Sequence, residues 1–245
     1  MKILRVMAAV RSSMLATLTA AGRNPETDFI HINAHILGGG SYVSNNYAAC
    51  FPEVSDLHSS MGLALGVGAD VVFNISHHWG VGTGLNILRS SRNLDMAVST
   101  EGAKSISNIF QKNSYYTIEA PVFARWRQNL AQGVTWNIDM GLYMAQGVGG
   151  HTDNTIYDAK TNELGQLITL RTKLRTRYYD DSDAFINTFA RTDLGMHLAT
   201  GLTFRQGLTI GVRTHIGLRN LAQSDGLKNP RMRTLDLLAV VGWSF

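Results

Sequence analysis

Bulky apolar residues recur at every second position along eight stretches of the chain. In SMGLALGVGADVVF (Ser60 to Phe73) the odd positions are mostly large and apolar, whereas the even positions are mostly Gly, Ala and Asp. Successive side chains of a β-strand point to opposite faces, so this alternation predicts a strand with one apolar face and one sparse, partly charged face. The same pattern predicts strands at residues 29–36, 60–73, 79–87, 116–126, 134–144, 194–204, 208–218 and 235–245.

The segments that connect these stretches alternate in length. Long segments cover residues 38–59, 89–113, 147–188 and 221–233, and short ones cover 74–77, 127–132 and 205–207. Each strand has about the ten residues that a tilted strand needs to cross a bilayer, and short turns on one rim with long loops on the other are typical of outer-membrane barrels. We therefore predict an all-β fold, an eight-stranded antiparallel up-and-down transmembrane β-barrel with short periplasmic turns and long extracellular loops. Both termini then lie in the periplasm, and the protein is integral to a bacterial outer membrane.

Aromatic residues on the apolar face gather beside the short turns and at the C-terminus. They are Phe73, Trp79, Trp126, Trp136, Phe204, Trp243 and Phe245. Aromatic rings collect at the membrane interface of such barrels, so this set predicts a girdle on the periplasmic side. Tyr116 is the clearest member of a thinner opposite girdle.

The other face of the strands carries glycine and a sparse set of opposed charges. We expect these to form a paired network in a lumen filled by side chains, because unpaired buried charges cost several kcal/mol each. The predicted network is Asp70, Glu119, Arg125, Asp139, Arg191, Asp193, Arg205, Arg213, Arg219 and Asp236. His197 and His215 share this face, either as hydrogen-bonded filling or as a proton-linked or metal-linked site. No third ligand accompanies them at a suitable spacing, so neither a metal nor a cofactor is predicted.

The composition agrees with a membrane barrel, and it argues against a helical membrane protein and against a nucleic-acid-binding protein. Charged residues are 16% of the chain, which contains 24 glycines, and no apolar run is long enough for a membrane-spanning helix. The net charge of +4 is scattered, so nucleic acid is not an expected partner. Residues 1–22 resemble a signal peptide, although Arg11, Ser12 and Ser13 interrupt its apolar core. We assign residues 23–245 to a single barrel domain.

Three segments resemble the PorT-like outer-membrane β-barrel family of Bacteroidetes. YYTIEAPVFARW (Tyr115 to Trp126) is similar to that family's "LEIPLLLKY" strand, residues 191–222 to its penultimate hairpin and LDLLAVVGWSF (Leu235 to Phe245) to its closing strand. The likeness covers roughly residues 29–245, with a longer third loop. It implies a role in surface structure, adhesion or as a secretion-system accessory, through extracellular loops or protein partners. Val241, Trp243 and Phe245 resemble the signal read by the barrel-assembly machinery, which is then a partner during insertion.

Two other classes of function stay open. Outer-membrane enzymes that act on lipid or peptide place Ser, His and an acid near the outer edge, where His151, Asp153, Ser41, Ser44 and Ser90 fall, but no spacing demands a triad. A soluble lipocalin-like binder would instead bury the apolar face around a ligand. We expect a non-enzymatic membrane protein.

The stretch RTKLRTRYY (Arg171 to Tyr179) lies in the longest loop and alternates basic residues with Thr and Leu. One interpretation is a hairpin above the membrane whose arginines bind lipopolysaccharide phosphates, with outer-membrane lipids as the general partner. The other is a solvated loop strand whose charges are balanced by Asp180, Asp181 and Asp183.

Overall fold

The computed structural model describes residues 29–50, 53–100, 105–161, 166–179, 189–222 and 230–245. The leader at residues 1–22 and the acids Asp180, Asp181 and Asp183 lie outside this part of the chain. The strands are β1 (Ile30–Asn45), β2 (Val54–Ser60), β3 (Gly62–Asn74), β4 (Trp79–Thr100), β5 (Ser105–Ala131), β6 (Val134–Thr161), β7 (Leu167–Arg177), β8 (Thr192–Phe204), β9 (Leu208–Gly217) and β10 (Met232–Ser244), with one short helix, α1 (Tyr47–Cys50). Among the described residues, no helix has the length and apolar character to cross a membrane.

All ten strands belong to one antiparallel sheet, which confirms the predicted fold class at this level. Eight of them each pair with two neighbours, in the order β1, β3, β4, β5, β6, β8, β9 and β10, and β10 pairs again with β1. The sheet therefore closes into a barrel. The other two strands lie outside this ring, where β2 pairs with β4 and β7 pairs with β6.

Four strands run beyond the stretches predicted from sequence: β1 continues to Asn45, and β4, β5 and β6 extend farther. β4, β5 and β6 contain 22, 27 and 28 residues, and they include positions 89–100, 105–113 and 147–161, which the pattern assigned to loops. These extensions pair with one another in register and carry β2 and β7 at their margins. Upper β4, upper β5 and upper β6, together with β2 and β7, form what we call the projecting sheet.

The barrel places most of its large apolar side chains outside and most of its charged side chains inside, where a small apolar cluster that includes Leu88 and Leu238 is also buried. Along β3, Leu63, Leu65 and Val67 are more than half exposed, whereas Ala64 and Asp70 are buried. The same inversion runs along β10, where Leu235, Leu237 and Val241 are exposed and Thr234 and Asp236 are buried. A soluble barrel would show the opposite arrangement, because water would select polar residues for the outside.

The projecting sheet buries apolar residues on its inner face, although Phe110 and Leu170 are exposed on this sheet. Its inner face covers a hydrophobic cluster in which Tyr115, Tyr178, Phe189, Met96 and Met232 are buried. Tyr115 and Tyr178 stack at 4.5 Å between ring centroids. We call this the upper cluster; its remaining buried members are Val43, Tyr47, Val54, Leu94 and Leu221.

A β-bulge marks the boundary between the two regions. The β5–β6 register shifts between Tyr116 and Thr117, so that Tyr116 faces Gly149 and Thr117 faces Gly147. One residue of β6 is unpaired there, and the inward positions of β6 change from odd numbers, such as Asp139 and Tyr143, to even numbers, such as Thr152. The same two strands can therefore serve both regions.

Candidate functional site

Seven of the ten predicted lumen charges lie inside the barrel. Asp70, Glu119, Asp139, Asp193, Arg213 and Asp236 are buried, and the Arg125 side chain is 13% exposed. The other three do not join them: Arg191, Arg205 and Arg219 are exposed. Arg205 lies in the turn before β9 and Arg219 follows β9. Because neither residue is in a strand, its odd number does not predict that its side chain points into the lumen. Arg191 precedes β8 and places its guanidinium over the Tyr179 ring.

The central group of the interior is the Arg213 guanidinium. Its Nη2 donates to Asp70 Oδ2 at 2.7 Å, and its Nη1 donates to Asn86 Oδ1 at 3.1 Å. The His35 ring lies 2.9 Å from Asn86 Oδ1 and 3.2 Å from Arg213 Nη1. The four side chains come from β1, β3, β4 and β9, so this network ties opposite walls of the barrel together.

Glycines provide the space that this network occupies. A Cβ on Gly84 would collide with the Asp70 carboxylate, and a Cβ on Gly68 would collide with Asn86 and His35. Gly82 gives the same room to the Phe123 ring. The glycines of the sequence pattern therefore lie opposite large inward side chains on neighbouring strands, and they leave room for them.

A second charge pair lies nearer the short turns. Arg125 donates from Nε to Asp139 Oδ1 and from Nη2 to Asp139 Oδ2, each at 2.7 Å. The two residues are register partners on β5 and β6. Such a bidentate pair has little freedom, so it fixes both side chains in the lumen.

His197 and His215 meet in the middle of the barrel. His197 Nδ1 and His215 Nε2 are 2.9 Å apart, and both residues are completely buried. His215 Nδ1 lies 3.1 Å from Glu119 Oε2, across the lumen on β5. Phe123 stacks on His197 and Tyr143 stacks on His215, which holds both imidazoles in place.

Several functional side chains of the interior were not predicted. His35 and Asn86 have inward parity in predicted strands, so their polarity among apolar neighbours was the available signal. Tyr143 also has this parity, and it donates to Asp193 Oδ2 at 3.1 Å, beside the hydroxyl donor Thr234 at 2.6 Å. Arg92 lies in a segment predicted as a loop; it is buried, and its Nε donates to Ser41 Oγ.

The girdle residues all lie on the outer surface of the barrel. Trp79 and Trp126 are register partners, and Trp126 meets Trp136 edge to face at 5.7 Å. Trp136 Nε1 donates to Thr200 Oγ1 at 2.8 Å. The full set, Phe73, Trp79, Trp126, Trp136, Phe204, Trp243 and Phe245, is exposed or half-buried beside the short turns and the C-terminus.

The candidate hydrolase residues do not come together. His151 and Asp153 are partly exposed on the outer face of the projecting sheet, with His151 Nε2 3.7 Å from Asp153 Oδ2. Ser41 and Ser90 are instead buried inside, and Ser44 is exposed on β1. Asp153 is held by Arg175, which donates to its two oxygens at 2.6 and 2.9 Å. These hydrogen bonds lower the pKa of the Asp153 carboxyl group below its ordinary value.

The RTKLRTRYY stretch forms most of β7, which makes a hairpin with β6. Arg171, Lys173, Arg175 and Arg177 alternate along β7 and share its outward face. Arg171 lies over the Tyr157 ring, and Lys112 of β5 follows in register beyond Asp153. We call Lys112, Arg171, Lys173, Arg175 and Arg177 the basic face.

Three solved structures of outer-membrane proteins are similar to this chain at low sequence identity. The attachment invasion locus protein Ail of Yersinia pestis, in a structure with the heparin analogue sucrose octasulfate, is 13% identical, with a TM-score of 0.37 over 89% of this chain and all of that one. Neisserial surface protein A is 11% identical, with a TM-score of 0.36 over 89% and 98% of the two chains. The outer membrane protease OmpT of Escherichia coli is 10% identical, with a TM-score of 0.31 over 88% and 96%.

No curated protein matches the sequence. The profile of the family described as outer membrane protein beta-barrel domain matches residues 24–223. The match covers most of the chain and agrees with the closed antiparallel sheet and its apolar exterior. The chain therefore belongs to the outer membrane β-barrel domain family.

Proposed function

We propose that this protein is a non-enzymatic, integral outer-membrane barrel whose eight ring strands cross the bilayer and whose projecting sheet acts outside the cell. The main support for the proposal is the polarity of the barrel wall: apolar residues such as Leu65, Val67 and Met140 are exposed on its outer face, whereas charged residues are buried on its inner face. Burial of these residues in lipid removes apolar surface from water, at roughly 25 cal/mol for each Å². The long strand extensions then face outwards and the short turns, with both termini, face the periplasm.

The lumen is filled by side chains, which argues against a wide pore. Phe123, His197, His215, Leu88 and Leu238 are completely buried across the width of the barrel. Hydrogen bonds and ion pairs connect opposite walls, as Arg213 does with Asp70. An eight-stranded barrel has room only for side chains, so the barrel is an anchor and the biological work falls to the projecting sheet.

The basic face supports lipopolysaccharide as a partner. Its side chains point outwards from the barrel wall above the exposed apolar band, because the outward positions of β5 pass from Ile118 and Tyr116 to Ser114 and Lys112. Arginine and lysine there face the level of the anionic lipid headgroups. Guanidinium groups bind phosphate oxygens in a bidentate manner, which suits lipid A phosphates.

The resemblance to PorT-like barrels gives the finer assignment within this proposal. It suggests a surface, adhesion or secretion-accessory role through protein partners of the projecting sheet. The C-terminal residues Val241, Trp243 and Phe245, which are all exposed on the outer wall, suit recognition by the barrel-assembly machinery before the strand is inserted.

Fractionation with gel mobility tests the membrane assignment. The full chain should appear in the outer membrane and should migrate differently in SDS before and after boiling, because a closed barrel resists the detergent until it is heated. Recovery in a soluble fraction without any mobility shift would contradict the proposal and favour a soluble barrel with a ligand.

Lipopolysaccharide binding has its own test. Lys173→Glu should weaken binding of the refolded barrel to purified lipopolysaccharide several-fold, because it reverses a charge on the basic face. Arg205→Glu is the matched control, since Arg205 is exposed in a short turn at the opposite rim. Equal loss in both variants would show only a non-specific charge effect.

A further inference from the structure

We propose that the lumen of the barrel contains a divalent-cation site formed by Glu119, His215 and Asp236. The ligand atoms of these three residues all lie within 4.8 Å of one another, and the residues are buried. Two carboxylate oxygens and one imidazole nitrogen suit a borderline transition-metal cation such as Zn²⁺. The site is independent of any role of the projecting sheet.

The three side chains converge from two walls of the barrel. His215 of β9 and Asp236 of β10 are register partners and both point inwards. Glu119 of β5 reaches them from across the lumen, which brings its Oε2 to 3.1 Å from His215 Nδ1. Two ligand atoms on one tetrahedral zinc ion are about 3.4 Å apart, given metal–ligand distances near 2.1 Å. Small rotations therefore complete the site.

Each of the three residues has a buried side-chain atom that lacks a hydrogen-bond partner among the described residues. Glu119 Oε2, His215 Nδ1 and Asp236 Oδ1 are buried and make no hydrogen bond to the described residues. The short Glu119–His215 separation thus does not correspond to a well-aligned hydrogen bond. Unsatisfied buried polar atoms are costly, and a shared cation satisfies all three at once.

The charge balance of the interior also calls for a cation. The described interior holds five carboxylates, Asp70, Glu119, Asp139, Asp193 and Asp236, and three guanidinium groups, Arg92, Arg125 and Arg213. With all five carboxyl groups ionised and the histidines neutral, two negative charges are in excess. Arg213 is bound to Asp70 and Arg125 to Asp139, so the excess lies around Glu119, Asp193 and Asp236. A dication matches it.

The surroundings provide a hydrogen-bond partner for His215 and a neighbouring cavity. His215 Nε2 contacts His197 Nδ1, so a metal-bound His215 can donate its remaining ring proton to His197. Glu119 and Asp236 line a cavity under the upper cluster that also reaches Tyr178, Tyr179 and Phe189. A water molecule from this cavity can take an open coordination position.

Cobalt binding to the refolded full-length barrel tests the site. After chelator treatment and dialysis, the wild type should bind one Co²⁺ with the visible absorption of a nitrogen–oxygen site, and Zn²⁺ should displace it. Glu119→Gln and Asp236→Asn should each weaken Co²⁺ binding at least tenfold. Asp153→Asn is the control, because Asp153 belongs to the exposed pair with His151 and should leave binding unchanged.

Folding of each variant is checked by the mobility shift on boiling. A wild-type barrel that is folded but takes up no Co²⁺ or Zn²⁺ would overturn the proposal, whatever the variants do. Loss of binding in Asp153→Asn with retention in folded Asp236→Asn would overturn it as well, because the metal would then be bound at the surface. Should Glu119→Gln fail to fold, wild-type stoichiometry and Asp236→Asn decide the question.

Discussion

The lower barrel wall and the projecting sheet share three strands, β4, β5 and β6, but differ in what they bury. In the lower wall, Leu65 and Met140 face outwards while Asp70 and Asp139 are buried. In the projecting sheet, Met96 and Leu94 are buried while Lys112 and Lys173 are exposed. The two regions therefore differ in what they bury: mostly charged and polar groups in the lower barrel, and a hydrophobic cluster under the projecting sheet.

The two regions also differ in what stabilises them. The lower interior relies on charge pairs and hydrogen bonds, such as Arg213 with Asp70 and Arg125 with Asp139. The upper cluster relies on stacked aromatic rings, such as Tyr178 with Tyr115 and Phe189. The lower region should therefore respond most to changes of charge and the upper region to changes of apolar volume.

Reversal of the central charge should have the largest effect. Arg213→Glu places a second carboxylate beside buried Asp70 and removes the hydrogen bonds to it, and breaking a buried pair costs about 3–5 kcal/mol. The free energy of unfolding in urea and detergent should fall by at least this amount. Arg205→Glu, at an exposed turn, should have little effect, and equal small losses would contradict the buried network.

Truncation of a buried and of an exposed methionine should distinguish the projecting sheet from the barrel wall. Met96→Ala removes a buried side chain of the upper cluster and should cost roughly 2–5 kcal/mol, measured as faster hydrogen exchange in the projecting sheet. The mobility shift of the barrel on boiling should persist. Met140→Ala, on the lipid-facing wall, is the matched control and should leave exchange in the projecting sheet unchanged.

Filling a lumen glycine should have a moderate effect. Gly84→Val pushes against the Asp70 carboxylate, and overpacking of this kind costs roughly 1–3 kcal/mol. Urea unfolding should report the loss. Gly149→Val is the control, because a Cβ at Gly149 meets no atom within 4 Å. A Gly84 variant as stable as wild type would mean that the lumen is not filled as described.

Acid should loosen the β6–β7 hairpin by the smallest amount. Hydrogen bonds from Arg175 lower the pKa of Asp153 below its ordinary value of 3.8. Their support is complete above that ordinary value and is lost as the pH falls through the lowered pKa. Limited proteolysis of the hairpin should therefore increase at low pH in the wild type, and Asp153→Asn should remove this part of the pH response.

The apolar alternation located the strands of the barrel but not the projecting sheet. All eight predicted stretches lie within or almost within strands, because lipid requires an unbroken apolar face there. The extensions of β4 and β6 carry polar residues on both faces, such as buried Arg92 and Thr152 and outward Asn93, so they gave no strong two-residue period. β7 was weighed as a hairpin strand, but its pairing with β6 is a tertiary property.

The sequence predicted which charged residues of the predicted strands point into the interior, but not how they pair. Strand parity placed Asp70, Asp139 and Arg213 inside, whereas the pairing of Arg213 with Asp70 depends on which walls face each other. Arg92 was missed because its segment was assigned to a loop. The convergence of Glu119 with His215 and Asp236 joins three distant parts of the chain, and no local spacing encodes it.

The orientation of the barrel wall is tested most directly by spin labels in a bilayer. In a Cys50→Ser background, nitroxides at Leu65 and Val67 should collide with oxygen and be shielded from a water-soluble nickel complex, whereas a label at Lys173 should show the reverse. This result would place the exposed apolar face in lipid and the basic face in water. Nickel access at Leu65 and Val67 equal to that at Lys173 would contradict the lipid-facing wall.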